Sequence, residues 1–148
     1  VTIDWTMGST CNYHCSYCDD FINDGKIPWP DYDTAIRFVK RCTEHYRSLG
    51  KHIVWNLLGG EPTVWSRFSE FISELKTLDQ SCVVVVLTNG SRTISWWKRN
   101  AHNFDNVIIS YHSENADYKH CTEVANILND AGVKVGLQVC MLPSNEQK

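Results

Sequence analysis

Three cysteines near the start of the chain have the spacing of a metal-binding loop. Cys11, Cys15 and Cys18 read C-x3-C-x2-C and follow a strand-like apolar run at residues 1–7. Three closely spaced thiolates can hold three irons of a 4Fe–4S cluster and leave the fourth iron open to a small molecule. Zinc on the same thiols, with His14 as a fourth ligand, is the alternative. The cluster is favoured because structural zinc sites more often use two separated pairs of ligands.

A second short motif, Gly59-Gly60-Glu61-Pro62, follows the next strand-like run. Glycine lets the backbone approach a ligand closely, and proline fixes the turn. A loop of this composition can bind a small molecule beside a metal centre. An ordinary turn from a strand into a helix accounts for it equally well when the motif is taken alone.

Apolar runs that suit strands alternate with runs of helical spacing along the whole chain. The strand-like runs are residues 1–7, 53–58, 82–87, 107–111 and 133–141. This alternation predicts right-handed crossovers and a parallel sheet. The run at 82–87 is unbroken, which predicts a strand buried on both faces. Residues 9–30 form a long polar loop, and loops of that length in compact domains are usually functional.

Polar or glycine-rich residues follow every strand-like run, including both motifs. In parallel α/β folds the active site gathers at the C-terminal ends of the strands, so we expect the two motifs to share one face. A complete eight-stranded barrel needs about 200–250 residues. Five strands therefore predict an α/β fold of one domain over residues 1–148, a partial (β/α) TIM-like barrel that is truncated or incomplete at its C-terminus.

Composition narrows the class of protein. With 43% apolar and 21% charged residues the chain suits a globular domain, and its net charge of -3 argues against a nucleic-acid-binding surface. It has no apolar run long enough for a membrane span and no signal peptide, so we expect a cytoplasmic protein. Four further cysteines, each isolated within a predicted helix or strand, are expected to be buried small hydrophobes. They are Cys42, Cys82, Cys121 and Cys140.

The two motifs together resemble those of the radical S-adenosylmethionine (radical SAM) superfamily. The cysteine loop has an aromatic residue, Tyr17, before its last cysteine, and residues 59–62 match the second motif. The resemblance implies a 4Fe–4S cluster on the three cysteines, with S-adenosylmethionine on the open iron. It also implies reductive cleavage to a 5′-deoxyadenosyl radical that abstracts hydrogen from a substrate. An electron donor such as flavodoxin or ferredoxin is the implied partner, and the sequence does not identify the substrate.

The resemblance also implies a set of residues around S-adenosylmethionine. They are Tyr17, Gly59, Gly60, Glu61, Pro62, Asn89, Ser110 and Gln138. Tyr17 is expected near the adenine, Glu61 near the methionyl ammonium, and Ser110 near the ribose or the methionyl carboxylate. Asn89 is equally suited to a turn, and Gln138 to pairing with a backbone group. A non-catalytic iron–sulfur protein and a zinc-binding module are the alternative functions.

Overall fold

Five parallel strands form a sheet whose order follows the chain. A computed structural model describes residues 1–140, and within them the sheet order is β1-β2-β3-β4-β5 with every pairing parallel. The strands are β1 (Thr2–Thr6), β2 (Val54–Leu58), β3 (Val83–Thr88), β4 (Asn106–His112) and β5 (Lys134–Cys140). The predicted α/β fold with a five-stranded parallel sheet is confirmed.

Helices connect the strands and begin and end at residues that the sequence marks. They are α1 (Asp20–Asn23), α2 (Tyr32–Ser48), α3 (Phe68–Leu78), α4 (Ile94–Asn100) and α5 (Tyr118–Asp130), with short 3-10 turns at Pro62–Val64 and Ala101–Asn103. Asp31 caps α2 by accepting the N–H of Thr34, and Asp117 caps α5 by accepting the N–H of Lys119. Gly132 follows α5 with a positive φ of 78°, the conformation that ends many helices.

The strands present one closed face to the helices and one open face to the interior of the partial barrel. In β2, Trp55 and Leu57 are fully buried, and in β3, Val84 and Val86 are fully buried. Val83 of β3 is 40% exposed. The expectation that this strand is buried on both faces is therefore wrong, because alternate residues line an open interior.

Aromatic side chains fill the layer between the sheet and the helices. Trp5 of β1 packs edge-on against Phe71 of α3 at 5.6 Å between ring centroids, and it also contacts Trp55. Trp97 of α4 is fully buried. Large buried rings dominate the energetics of cores, so this layer fixes how the helices sit on the sheet and where the strand ends lie.

The long loop after β1 contains more structure than the sequence indicates. It includes α1 and an isolated antiparallel bridge between Thr10 and Asp24. Ser9 donates a hydrogen bond to the carboxylate of Asp24 at 2.8 Å, which closes the loop on itself. The cysteine loop is therefore held at both of its ends.

The isolated cysteines differ in burial. Cys82 and Cys121 are buried, as expected, whereas Cys42 and Cys140 are half-buried. Cys140 is less enclosed because it ends β5, one of the two edge strands of the described sheet. Along residues 1–140, no helix has the length and apolarity to cross a membrane. Met141, the last residue of the fifth predicted strand run, and the polar residues after it lie outside the described residues.

Candidate active site

A cavity of about 410 Å³ opens at the C-terminal ends of the strands. This size falls within the range of small-molecule sites, roughly 300–1,000 Å³. The predicted site residues that line it are Cys11, Cys15, Cys18, Gly59, Gly60, Glu61, Asn89 and Ser110. The two motifs, which are more than 40 residues apart in the chain, therefore share one cavity, as the order of strands and helices predicts.

All three cysteines of the cysteine loop line this cavity. None of the three cysteines forms a disulfide, and the N–H of Tyr13 points at Cys11 Sγ at 3.4 Å. Burial raises the pKa of the Cys11 thiol. Within residues 1–140, no three His, Cys, Asp or Glu side chains are close enough to hold a metal ion together.

The loop between β4 and α5 holds one side of the cysteine loop. Glu114 accepts two hydrogen bonds from Ser16, at 2.7 Å from the backbone N–H and 2.6 Å from the hydroxyl. Asn115 Nδ2 lies 3.3 Å from Cys15 Sγ. The two hydrogen bonds from Ser16 hold the pKa of Glu114 below its usual value. The carboxylate of Glu114 is therefore ionised at neutral pH and fixes the middle of the cysteine loop.

The loop after β3 holds the other side. Asn89 Nδ2 donates to Asn12 Oδ1 at 3.0 Å, and Asn12 Nδ2 donates to Ser91 Oγ at 2.9 Å. Asn89 Oδ1 in turn accepts the N–H of Ser91. Asn89 is therefore both the turn residue that its sequence context favours and a side chain at the cavity wall.

The two glycines of the second motif bring its loop against the cysteine loop. A Cβ on Gly60 would lie 2.2 Å from Thr10 O, and one on Gly59 would lie 2.6 Å from Thr6 Cγ2. Both glycines have positive φ, 94° for Gly59 and 49° for Gly60. The N–H of Glu61 donates to Thr10 O at 2.9 Å. The close approach that glycine permits here is between two loops of the protein.

Glu61 is buried, with only 1% of its surface exposed. Its Oε1 accepts the N–H and hydroxyl of Thr63 and the hydroxyl of Thr88, and its Oε2 accepts the N–H of Asn89 at 2.6 Å. Burial raises the pKa of Glu61, and these hydrogen bonds offset part of that rise. The carboxylate therefore joins the loops that follow β2 and β3, and Oε2 keeps one further lone pair.

Three predicted residues lie outside the cavity lining. Tyr17 stacks on His112 with 12° between ring planes, and its hydroxyl lies 2.6 Å from His112 Nδ1. Pro62 is buried at the start of a 3-10 turn. Gln138 is exposed on β5, in register with Ser110 of β4. Tyr17 and Gln138 therefore flank the site, while Pro62 supports it.

The cavity also has walls that the sequence did not single out. Phe21, Ile22 and Ile27 come from the polar loop after the cysteines, and their side chains are among the larger exposed apolar groups of the described chain. Large apolar side chains in an otherwise polar loop are the sequence signal that could have marked these three residues. Tyr13 and His112 also line the cavity. Burial raises the pKa of Tyr13 to about 12 and lowers the pKa of His112.

A comparison with known families shows to which superfamily the chain belongs. The family model described as the radical SAM superfamily matches residues 5–147. The chain belongs to the radical SAM superfamily. Membership implies a 4Fe–4S cluster and S-adenosylmethionine (AdoMet).

Solved structures share the fold of this radical SAM chain. BtrN in complex with AdoMet and 2-DOIA aligns over 93% of this chain and 56% of its own, with a TM-score of 0.68 and 17% sequence identity. Histidine-tagged anSMEcpe with bound AdoMet aligns over 92% of this chain and 42% of its own, with a TM-score of 0.66 and 23% identity. At these identities the likeness shows the fold. The chain spans about half the length of these structures.

The residues present fit the cofactors that the superfamily implies. Three thiols, the donors that iron–sulfur clusters take, line one cavity with the Gly59–Gly60 turn beside them. Glu61 lines the same cavity. Three cysteines and a glutamate in one lining provide groups for both an iron–sulfur cluster and an amine-bearing ligand.

Proposed function

We propose that this chain is the core domain of a radical SAM enzyme, formed by residues 1–148 as one unit. Cys11, Cys15 and Cys18 would hold a 4Fe–4S cluster, and AdoMet would occupy the remainder of the cavity. The observation that carries the proposal is that these three thiols and the Gly59–Glu61 turn line the same 410 Å³ cavity at the C-terminal ends of the strands.

Cys11, Cys15 and Cys18 would hold a cluster whose chemistry, when it is bound, would be one-electron reduction of AdoMet to methionine and a 5′-deoxyadenosyl radical for hydrogen abstraction from the substrate. The protein's own contribution is to hold the reactants and to exclude competing reactions. Phe21, Ile22 and Ile27 put apolar surface on the wall beside the cysteines. In this proposal they keep water away from the reacting atoms.

Glu61 and Ser110 are the proposed polar contacts of AdoMet. Glu61 Oε2 accepts one hydrogen bond from the protein and has a lone pair left for the methionyl ammonium. Ser110 is buried at the end of β4 and lines the cavity, so its hydroxyl is available to the ribose or to the methionyl carboxylate. Asn89 holds the loop between them. Tyr17 and Gln138 are proposed to reach the adenosine from the rim.

The experiment that tests this function is a cleavage assay. The chain is reconstituted anaerobically with iron and sulfide, reduced with dithionite and incubated with AdoMet. We expect 5′-deoxyadenosine and methionine as products, identified by chromatography and mass spectrometry. A chain that carries a full complement of iron and sulfide but releases no cleavage product would favour the non-catalytic iron–sulfur alternative. Zinc bound in preference to iron would favour the zinc-binding module.

A second experiment tests the electron donor of the proposed enzyme. A reduced flavodoxin or ferredoxin replaces dithionite in the same assay. Formation of 5′-deoxyadenosine then shows that a protein donor serves the cluster.

A further inference from the structure

The side chain of Asn115 lies directly against a sulfur of the cysteine loop. Its Nδ2 is 3.3 Å from Cys15 Sγ, across 100 residues of sequence. The N–H of Asn115 donates to His112 O at 2.9 Å, as does the N–H of Ala116 at 2.8 Å. The backbone of the residue is therefore fixed in a turn, and its amide is directed at the sulfur by that turn.

Glu114, the residue before Asn115, holds the cysteine loop next to Cys15. Glu114 accepts both the N–H and the hydroxyl of Ser16, the residue that follows Cys15. The turn after β4 thus binds the cysteine loop at Ser16 and directs the amide of Asn115 at the sulfur of Cys15. Cys15 is only 7% exposed, so water competes little for this hydrogen bond.

The second amide near the cysteines is placed differently. Asn89 Nδ2 lies 3.9 Å from Cys11 Sγ but 3.0 Å from Asn12 Oδ1. A contact of 3.0 Å to an oxygen is a stronger hydrogen bond than one of 3.9 Å to a sulfur. Asn89 therefore donates its shorter hydrogen bond to the side chain of Asn12 and makes only a long contact with a sulfur, whereas the amide of Asn115 lies 3.3 Å from the sulfur of Cys15.

We infer that Asn115 is a positioning residue that donates a hydrogen bond to the cluster ligand Cys15 and thereby raises the reduction potential of the cluster. This inference rests on the proposed function. Hydrogen bonds to cluster sulfurs set the potentials of iron–sulfur centres. The physical reason is that the reduced cluster carries one more negative charge, so an N–H aimed at its sulfur stabilises the reduced state more than the oxidised one.

The test measures the midpoint potential of the cluster by redox titration followed by electron paramagnetic resonance. The variants are Asn115→Leu, which keeps the size of the side chain and removes the donor, and Asn115→Gln, which keeps an amide donor. Ser16→Ala is the matched control, because it removes one hydrogen bond of the same contact without touching the sulfur or any charge. Iron and sulfide content and the charge-transfer absorbance are measured for each protein.

We expect Asn115→Leu to bind as much iron as the wild type and to shift the midpoint to a more negative potential. Asn115→Gln should shift the midpoint less, because glutamine keeps an amide donor, and Ser16→Ala should leave the midpoint unchanged. An unchanged midpoint in Asn115→Leu at equal iron content overturns the inference. An equal shift in Ser16→Ala also overturns it, because the effect would then come from the position of the loop. Loss of iron in Asn115→Leu overturns it as well, because Asn115 would then serve to hold the loop in place. A wild-type chain that binds no cluster overturns the proposed function itself, and this is seen before any variant is compared.

Discussion

The carboxylate of Glu61 accepts a hydrogen bond from the backbone N–H of Asn89 at 2.6 Å, across 28 residues of sequence. This bond joins the loop after β2 to the loop after β3. Through Asn89, which also donates to Asn12, it reaches the cysteine loop. A buried carboxylate thus holds together three loops that line one cavity.

Replacing Glu61 by glutamine should lower the free energy of unfolding. Three donors converge on Oε1, so the new NH₂ group must face the N–H of Asn89, and that N–H loses its acceptor. An unsatisfied buried donor costs about 1–3 kcal/mol. Urea denaturation measures the loss. Glu44→Gln, on the exposed face of α2, is the control and should stay within about 0.5 kcal/mol of the wild type. Equal stability of the two variants would contradict this role of Glu61.

Replacing Gly60 by alanine should displace the cysteine loop. The added Cβ would lie 2.2 Å from Thr10 O, and backbone oxygens cannot yield as side chains do. Gly132→Ala is the matched control, since Gly132 also has positive φ but would place its Cβ with nothing within 4 Å. Both variants carry the left-handed penalty of roughly 1–2 kcal/mol. We expect loss of iron binding only in Gly60→Ala, measured by iron analysis after reconstitution. Normal iron content there would exclude a steric role for Gly60.

Replacing Cys15 by alanine should abolish cluster binding, while Cys82→Ala should not. Cys15 lines the cavity and Cys82 is buried away from it. Both substitutions remove one buried thiol, so the pair separates ligation from packing. Iron content and visible absorbance after anaerobic reconstitution give the result. Equal iron loss in the two variants would refute the assignment of the ligands.

Replacing Asp31 by alanine should produce a pH-dependent loss of stability. Hydrogen bonds from the hydroxyl and N–H of Thr34 hold the pKa of Asp31 below its usual value. The ionised cap therefore stabilises the folded chain fully above the unfolded-state pKa of about 3.9. This stabilisation is lost as the pH falls through the lower folded-state pKa.

The thermal unfolding midpoint of Asp31→Ala should lie below that of the wild type at pH 7, and the difference should shrink as the pH falls below about 4. Asp33→Ala is the control, because it removes a carboxylate from the first turn of the same helix and leaves the cap intact. A difference for Asp31→Ala that stays constant with pH would show that the cap does not act through its charge.

Local patterns in the sequence predict the five strands, the long helices between them, the parallel sheet and the sharing of one cavity by two motifs. These features depend on local patterns: the period of apolar residues, capping residues such as Asp31 and Asp117, and cysteines within eight residues of each other. Right-handed crossovers then leave little choice about which ends of the strands meet. Membership of the radical SAM superfamily could be predicted for the same reason, since its motifs are short and contiguous.

The surroundings of the two motifs depend on contacts between residues that are far apart in the chain. The contact of Asn115 with Cys15 spans 100 residues and the contact of Glu114 with Ser16 spans 98. Nothing in the local sequence marks either pair. The same holds for Gly60, whose missing Cβ makes room for Thr10 of another loop. Such contacts depend on how far each loop extends beyond its strand, and that distance is set by the packing of the whole sheet.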